Sequence, residues 1–473
     1  MRSKKIIVLA SLLVLLAFAI PIEHKYDKLF RFYSLTLIPS HLKVPASYPK
    51  MIYFYASDLI AILLFSLSLF WRQIPLRQFL SKGAIFLWTL LFCAFLSIAA
   101  SPYASYLVPY TRLLQLLTPI LLFSSLAHAF TFETKEKISR LMLGALIITA
   151  IFQSGIAIAQ YFHQGSLGLR FFGEIQASPE NLATPSFEML NGQRWIFDRI
   201  FDRISSTPYI MRSSGTLPHP NVLGGFLALS ILASYSFLLD MTKWRFWIAL
   251  TLPLQFFAMA VTYSRSALFG WAIGSFVWFS LLLFKRGIKS FAKDSGSRFL
   301  SFAVLFSVLM TAFLLHDQYL HRGGIVNYNE VAQQSDGVRS FHQKVSLKMT
   351  WQNPLLGVGF TQYSIHAPQY FPPNSDPLYH QTATHNIYLF LAAETGLISL
   401  GAFLLFLGCL ARSALRVAIN PITASLIASF IAFLFIGGCD FYPLLFQQGK
   451  LMFFSIAGLL AAHSRISSEE VYA

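Results

Sequence analysis

The chain is poor in charge. Only 12% of its 473 residues are Asp, Glu, Lys or Arg, and acidic residues are the scarcer kind, 20 against 36 basic. A soluble surface is about a quarter charged or more, so this chain has too little charge to clothe a water-facing globule of its length. Cysteine is scarcer still. Cys93, Cys409 and Cys439 are the three, and all lie in or beside apolar runs, which excludes a disulfide framework stapling the outer loops. His-Glu-x-x-His, paired Cys-x-x-Cys, phosphate-loop and dinucleotide patterns are missing from any supporting context, as is a carboxylate cluster in an outer loop. No metal and no cofactor is expected.

Apolar residues are abundant. They make up 55% of the sequence, and the mean hydropathy is +0.58. A helix crossing about 30 Å of hydrocarbon needs roughly 20 mostly apolar residues. Such runs lie near 5–22, 52–70, 83–100, 108–130, 139–162 and 220–239, and again near 246–264, 266–284, 299–315, 386–411, 421–439 and 448–462. Continuous runs favour helices, because barrel strands would alternate apolar and polar residues instead. The expected fold class is therefore all-α and polytopic, with about 12 transmembrane helices. The first run follows Arg2, Lys4 and Lys5, but eleven more spans follow it and no convincing small-residue cleavage site precedes Pro21, so it reads as a retained helix rather than a signal peptide.

Short connectors carry basic clusters: Arg72, Arg77 and Lys82; Lys135, Lys137 and Arg140; Lys243 and Arg245; Lys285, Arg286, Lys289, Lys293 and Arg298; Arg412 and Arg416. All fall on the side of the amino terminus, which the positive-inside rule makes cytoplasmic. Totals on the two sides are nearly balanced, but most of the opposing charge sits in long segments, to which the rule is blind. A multi-pass membrane protein with both termini cytoplasmic is expected. The net charge of +16 is divided between membrane-flanking anchors and outer loops, which argues against a nucleic-acid partner.

Three outer segments interrupt the membrane pattern: 23–50, 163–219 and 316–385. Long connections of this kind are usually functional. In the third, residues 337–351 carry Val338, Phe341, Val345, Leu347, Met349 and Trp351 at spacings compatible with an amphipathic helix, which Asn353-Pro354 ends. Gly357-Val358-Gly359 then reads as a turn, and the chain re-enters the membrane at His385. Asp58, Arg112, Glu394 and Asp440 fall in or at the rim of apolar spans, where an isolated charge costs about 2.5–3.5 kcal/mol, so internal pairing is expected.

Four elements then occur in order: GTLPHPNVLGGFLAL at 215–229, VTYSRSALFGWAIG at 261–274, NPLLGVGFTQY at 353–363 and HNIYLFLAAETGLISLGAFL at 385–404. Together, with Arg339 ahead of the third, they resemble the O-antigen ligase and polymerase family, while the first 200 residues match only in hydropathy. The resemblance implies an integral-membrane glycosyltransferase that uses a polyprenyl-diphosphate-linked glycan as donor on the periplasmic face. It also divides the chain into membrane helices 1–214, a family core 215–411 whose loop 316–385 carries the active site, and C-terminal helices 412–473.

Such a reaction needs a leaving diphosphate neutralised and an acceptor hydroxyl deprotonated. A guanidinium stays protonated and grips phosphate oxygens with a planar fork, which nominates Arg265 and Arg339. The alternative for Arg265 is a headgroup anchor, and for Arg339 a solvated charge beside Lys344 and Lys348. An imidazole titrates near neutrality, which nominates His385 as the catalytic base, against a plain role at a helix start where Thr384 or Asn386 would cap. Arg212, His219, Asn221 and Asn386 are possible substrate-binding residues. For His219 the alternative is a loop terminated by its two flanking prolines.

The expected partners are the lipid-linked donor, lipid A core or another glycan acceptor, and the bilayer. Polymerisation of lipid-linked repeats and transfer to protein Ser or Thr are alternatives that share these motifs. A transporter is the alternative of another class, but no pair of Gly/Pro-broken helices occupies corresponding halves, and the polar residues gather in outer loops.

Overall fold

The computed structural model describes residues 2–20, 32–33, 51–52, 55–71, 82–105, 107–128, 132–178, 185–188, 209–240, 243–322, 330–373 and 383–464. Most of loop 23–50 and large parts of 163–219 and 316–385 lie outside the described residues.

Apolar helices dominate, because in hydrocarbon only a helix satisfies its own backbone hydrogen bonds. In chain order they are α1 (Arg2–Ala19), α2 (Ala56–Phe70), α3 (Lys82–Ala100), α4 (Leu107–His128), α5 (Phe132–His163), α6 (Pro220–Asp240), α7 (Arg245–Ala260), α8 (Arg265–Arg286), the short α9 (Ile288–Lys293) and α10 (Ser295–Arg322). There follow α11 (Glu330–Gln352), the one-turn α12 (Tyr363–His366), α13 (Ile387–Ala414), α14 (Pro421–Cys439), the one-turn α15 (Tyr442–Leu445) and α16 (Gln447–Ser464). Among the described residues, eight helices are long and apolar enough to cross a membrane. The shorter apolar helices α1, α2 and α7, together with α16, occupy the remaining expected positions. This is an all-α polytopic membrane protein.

Two small ribbons depart from pure helix. Phe32–Tyr33 (β1) pairs antiparallel with Met51–Ile52 (β2), and Ser186–Glu188 (β3) with Tyr209–Met211 (β4). Both lie in connections between the long helices. The second continues through a bond from Arg212 N to Pro185 O of 2.9 Å and so delivers Arg212 to the end of the bundle where α6 begins.

Helix α6 runs through the centre, buried on nearly every face, and α5, α7, α8 and α14 pack around it. Small residues set how close they come. A Cβ added to Gly274 of α8 would stand 2.6 Å from the Leu232 side chain and 3.1 Å from Ala428 O, and one added to Gly270 would stand 2.7 Å from the Ile436 side chain. Those contacts fix α8 and α14 as antiparallel neighbours, with the start of α8 level with the end of α14.

The Gly-Val-Gly segment is more than a turn. Val358 N donates to Ala393 O and Gly359 N to Glu394 O, each at 3.0 Å, and Leu397 N donates to Pro354 O at 2.7 Å. The segment is thus laid into a break in α13, where Gly396 adopts φ +82° and ψ 175°. A Cβ on Gly396 would fall 2.0 Å from Leu355 O, so both the backbone conformation and the close approach demand glycine. The Glu394 carboxylate accepts from Thr361 N at 2.8 Å and Tyr363 N at 3.0 Å, and Ser97 of α3 donates to Glu394 O at 2.6 Å. The intramembrane acid is therefore a structural clamp on the loop.

The other rim charges are paired as well. Asp58 accepts from Thr118 at 2.8 Å and from Gln447, and Arg112 donates to Gln115 at 2.8 Å.

The outer helix α11 is longer than its sequence pattern indicates, and its apolar residues divide between two faces. Val345 and Met349 are buried with Val358, Tyr363, Phe390 and Ala393, and Phe341 packs against them. Leu347 and Trp351 point away and are 45% and 75% exposed, a pairing that suits the membrane–water interface, where tryptophan is enriched.

Candidate active site

The site is built at two helix ends. Asn386 caps α13, its Oδ1 accepting from Tyr388 N at 2.9 Å and Leu389 N at 3.0 Å, while its Nδ2 donates to Gly438 O at 3.0 Å in the last turn of α14. One side chain therefore starts one helix and ties it to the finish of another. The residue before the cap is His385, and the residue after α14 is Asp440. They are brought face to face, with His385 Nδ1 3.6 Å from Asp440 Oδ1 and the side chains 17% and 3% exposed. At that separation the contact is electrostatic, just beyond a hydrogen bond. The Phe441 ring packs on the imidazole with centroids 4.7 Å apart.

Behind Asp440 runs a polar chain. Its Oδ1 accepts from Phe441 N at 2.8 Å and its Oδ2 from the Asn221 amide. The Asn221 Oδ1 accepts from Arg212, whose Nε donates to Thr262 O at 2.8 Å in the turn before α8. His219 Nδ1 accepts from Asn221 N at 3.1 Å. Pro220 occupies the first position of α6, where the missing N–H costs nothing, and His219 O accepts from Val222 N at 3.0 Å. The Pro-His-Pro-Asn element is thus both a helix start and the bridge from the α7–α8 turn to Asp440.

Arg339, half-buried on α11, lies close enough for its charge to act on His219 and Cys439. Arg265 is the first residue of α8, following its cap Ser264, and is half-buried. Since Gly270 faces Ile436 one turn further in, Arg265 sits at the level of Asp440. The site residues singled out by sequence therefore lie towards one end of the bundle, Arg265 by its level on α8 alone. Arg212, His219, Asn221 and His385 form a continuous cluster with Asp440, and Asn386 anchors it. Asn386 uses both ends of its amide internally, as does Asn221, so their geometry is that of positioning residues rather than free ligands. Among the described residues no three His, Cys, Asp or Glu side chains converge where they could share a cation.

Burial would raise the Asp440 carboxyl, but the contact with His385, helped by the Asn221 amide, outweighs it and holds it below the usual carboxylate range. Burial pushes the His219 imidazole down to about 3, with Arg212 adding to the effect and Asp440 opposing it. Asp440 is therefore an anion and His219 neutral at physiological pH. An anion facing Nδ1 of His385 favours the tautomer with the proton there, which leaves the Nε2 lone pair free to accept one.

Residues 249–406 match the family of membrane proteins described as O-antigen ligase. The similarity to that family is carried by this segment, about a third of the chain. No curated protein matches the chain. The matched segment holds Arg265, Arg339, His385, Asn386 and the clamp between Gly357-Val358-Gly359 and α13. Arg212, His219 and Asn221 precede it, and Asp440 follows it.

Asp440 is the member of this polar cluster that sequence reasoning missed. It read as a rim charge awaiting an internal partner. The available signal was its position directly after an apolar span, on the same side as His385.

Proposed function

We propose that this protein is a glycosyltransferase of the ligase type, moving a glycan from polyprenyl diphosphate to lipid A core or a related acceptor on the periplasmic face of the inner membrane. The observation that carries the reading is the His385–Asp440 pair, an imidazole and an anion held by two helix ends, with Arg339 near enough for its charge to reach the neighbouring His219 and Cys439. Aspartate beside histidine selects the tautomer and stabilises the imidazolium that forms, which is how such pairs serve acyl-transfer enzymes.

In the reaction, Nε2 of His385 takes the proton of the acceptor hydroxyl as its oxygen bonds to the anomeric carbon. The bond from that carbon to the diphosphate oxygen breaks, and the electron pair leaves with the diphosphate. Arg265 and Arg339 balance the charge that develops there. A single displacement inverts the anomeric centre. Arg212, Asn221 and Asn386 act through others, by holding Asp440 and the two helix ends in place. Elongation of a lipid-linked repeat would use the same residues with a different acceptor, so it is retained as the second reading.

The test is glycan transfer in membranes containing wild-type protein or His385→Ala, supplied with a lipid-linked oligosaccharide and lipid A core, with and without EDTA. Product from the wild type in EDTA, and none from a normally expressed variant, is expected. Full activity in the variant removes His385 as base, and product formed only on a second lipid-linked repeat reassigns the protein as a polymerase.

A further inference from the structure

The turn that delivers Arg265 contains a backbone conformation its sequence does not favour. Tyr263 has φ +47°, in the left-handed basin, two residues before Arg265. A residue bearing a Cβ is disfavoured there by about tenfold, and bulky side chains are rare occupants. Such conformations persist only where the surroundings impose them. Here restraint comes from three sides. Arg212 Nε donates to Thr262 O at 2.8 Å, and Ser213 N to Val261 O at 3.1 Å. Gly224 of α6 admits the turn, since an added Cβ would stand 3.0 Å from Thr262 Oγ1 and 3.1 Å from Ser264 Cβ. The third side is α10.

Tyr263 is 1% exposed, and its hydroxyl donates to Gln318 Oε1 on α10. Gln318, itself buried, donates from Nε2 to Tyr161 OH of α5 at 2.8 Å, so its amide is fixed at both ends. The neighbouring Tyr319 packs its ring 5.4 Å from that of Tyr263 and donates to Ala260 O at 2.7 Å. Phe257 and Leu315 complete the cluster around the two tyrosines that Gln318 joins. A leucine would fill that place without desolvating an amide, so the glutamine is explained by what it holds.

We propose that Gln318 is a positioning residue for Arg265. Its amide keeps Tyr263 left-handed, which turns the chain so that Ser264 caps α8 and fixes the direction in which Arg265 opens that helix. The inference rests on the role proposed above for Arg265. Helix α10 ends at Arg322, four residues beyond Gln318, and the next described helix is α11, which bears Arg339. The outer segment 316–385 thus carries one guanidinium and, through Gln318 at its root, aims the other.

Two single variants remove the strap from opposite ends. Tyr263→Phe keeps the ring and loses the donor, and Gln318→Leu keeps the volume and loses the acceptor. Each is expected to lower kcat/KM for glycan transfer about tenfold, the bias against the left-handed basin that the strap opposes. Asparagine tolerates that basin without help, so adding Tyr263→Asn to Gln318→Leu is expected to restore kcat/KM to within about threefold of wild type. A glutamine that only packs predicts the reverse, because a second truncation in the same cluster deepens the loss. Wild-type kcat/KM in either single variant, or a double variant no better than Gln318→Leu, overturns the inference.

A second measurement does not require transfer. The first turn of α8 is tied to Ser264, whose Oγ accepts from Ala267 N at 3.4 Å and whose O accepts from Leu268 N at 3.1 Å. Hydrogen exchange of these amides in nanodiscs is expected to be about tenfold faster in Tyr263→Phe than in wild type, with the central helix α6 unchanged. Equal exchange in the two proteins overturns the strap. Failure of wild type to transfer to any acceptor defeats the proposed function and leaves exchange to decide whether Gln318 holds the turn.

Discussion

Asn221 joins Arg212 to Asp440, with its amide oxygen accepting from the guanidinium and its amide nitrogen donating to the carboxylate. The pairing fixes which oxygen of Asp440 remains for His385. Asp440→Asn is therefore predicted to retain fold and donor affinity but lose turnover. The loss should approach the roughly 10⁴-fold seen when a histidine's orienting aspartate is amidated in a serine protease. Steady-state transfer assays check this; a variant that loses KM rather than kcat would show Asp440 to be a substrate ligand.

The guanidinium positions should not tolerate lysine. A lysine keeps the charge but not the fork, so Arg339→Lys and Arg265→Lys are predicted to lower kcat/KM by about 10²–10³, the range for removing one charge-stabilising donor. Retention of wild-type rates by either lysine variant would reduce that arginine to a headgroup anchor.

Gly396→Ala is predicted to prevent stable folding, since its Cβ would lie 2.0 Å from Leu355 O at φ +82°. Gly401→Ala, five residues on, meets nothing within 4 Å and should be neutral. Yields of monodisperse protein in detergent compare the two, and equal yields would mean that the loop does not need the break in α13.

Glu394→Gln offers one oxygen where the carboxylate offered two, leaving either Thr361 N or Tyr363 N unpaired. A destabilisation of about 1–3 kcal/mol is predicted, with the pH profile of transfer unchanged. A shifted profile would give Glu394 a part in proton transfer instead of a structural one.

Acid should destabilise the protein partly through His219. Its folded-state value of about 3 lies below the ordinary value of 6.5, so between these limits the unfolded chain binds the extra proton. Stability from this residue is intact above pH 6.5 and falls as pH drops toward 3. At pH 5 the loss is about 2 kcal/mol. Thermal unfolding in detergent at pH 7.5 and 5 should show a smaller acid effect for His219→Asn than for wild type. Asp440 acts at lower pH: its depressed value gives stability that is complete above the ordinary carboxylate range and disappears as pH falls through the folded value.

The bundle was legible in the sequence because hydrocarbon leaves the backbone one economical solution, and each expected span contains a helix. The divided faces of α11 were less legible. Leu347 and Trp351 are as apolar as Val345 and Met349, and hydropathy alone cannot distinguish a residue facing a protein core from one facing an interface. His385 was legible as chemistry, but its partner was not, because Asp440 is 55 positions away and the meeting of the two helix ends shows only in folded contacts such as the Asn386–Gly438 bond. The role of Glu394 was hidden for a similar reason: its partners are backbone N–H groups, which carry no residue identity.

Because base and anion are set by helix termini rather than by the outer loops, the reactive geometry is insulated from whatever those loops carry. Residues 163–208, which include none of the site residues, can diverge in sequence, and with them the sugars admitted, while His385 and Asp440 keep their separation. The architecture is a fixed press with interchangeable dies, and grafting outer segments between relatives should transfer preference for acceptor without rebuilding the catalyst.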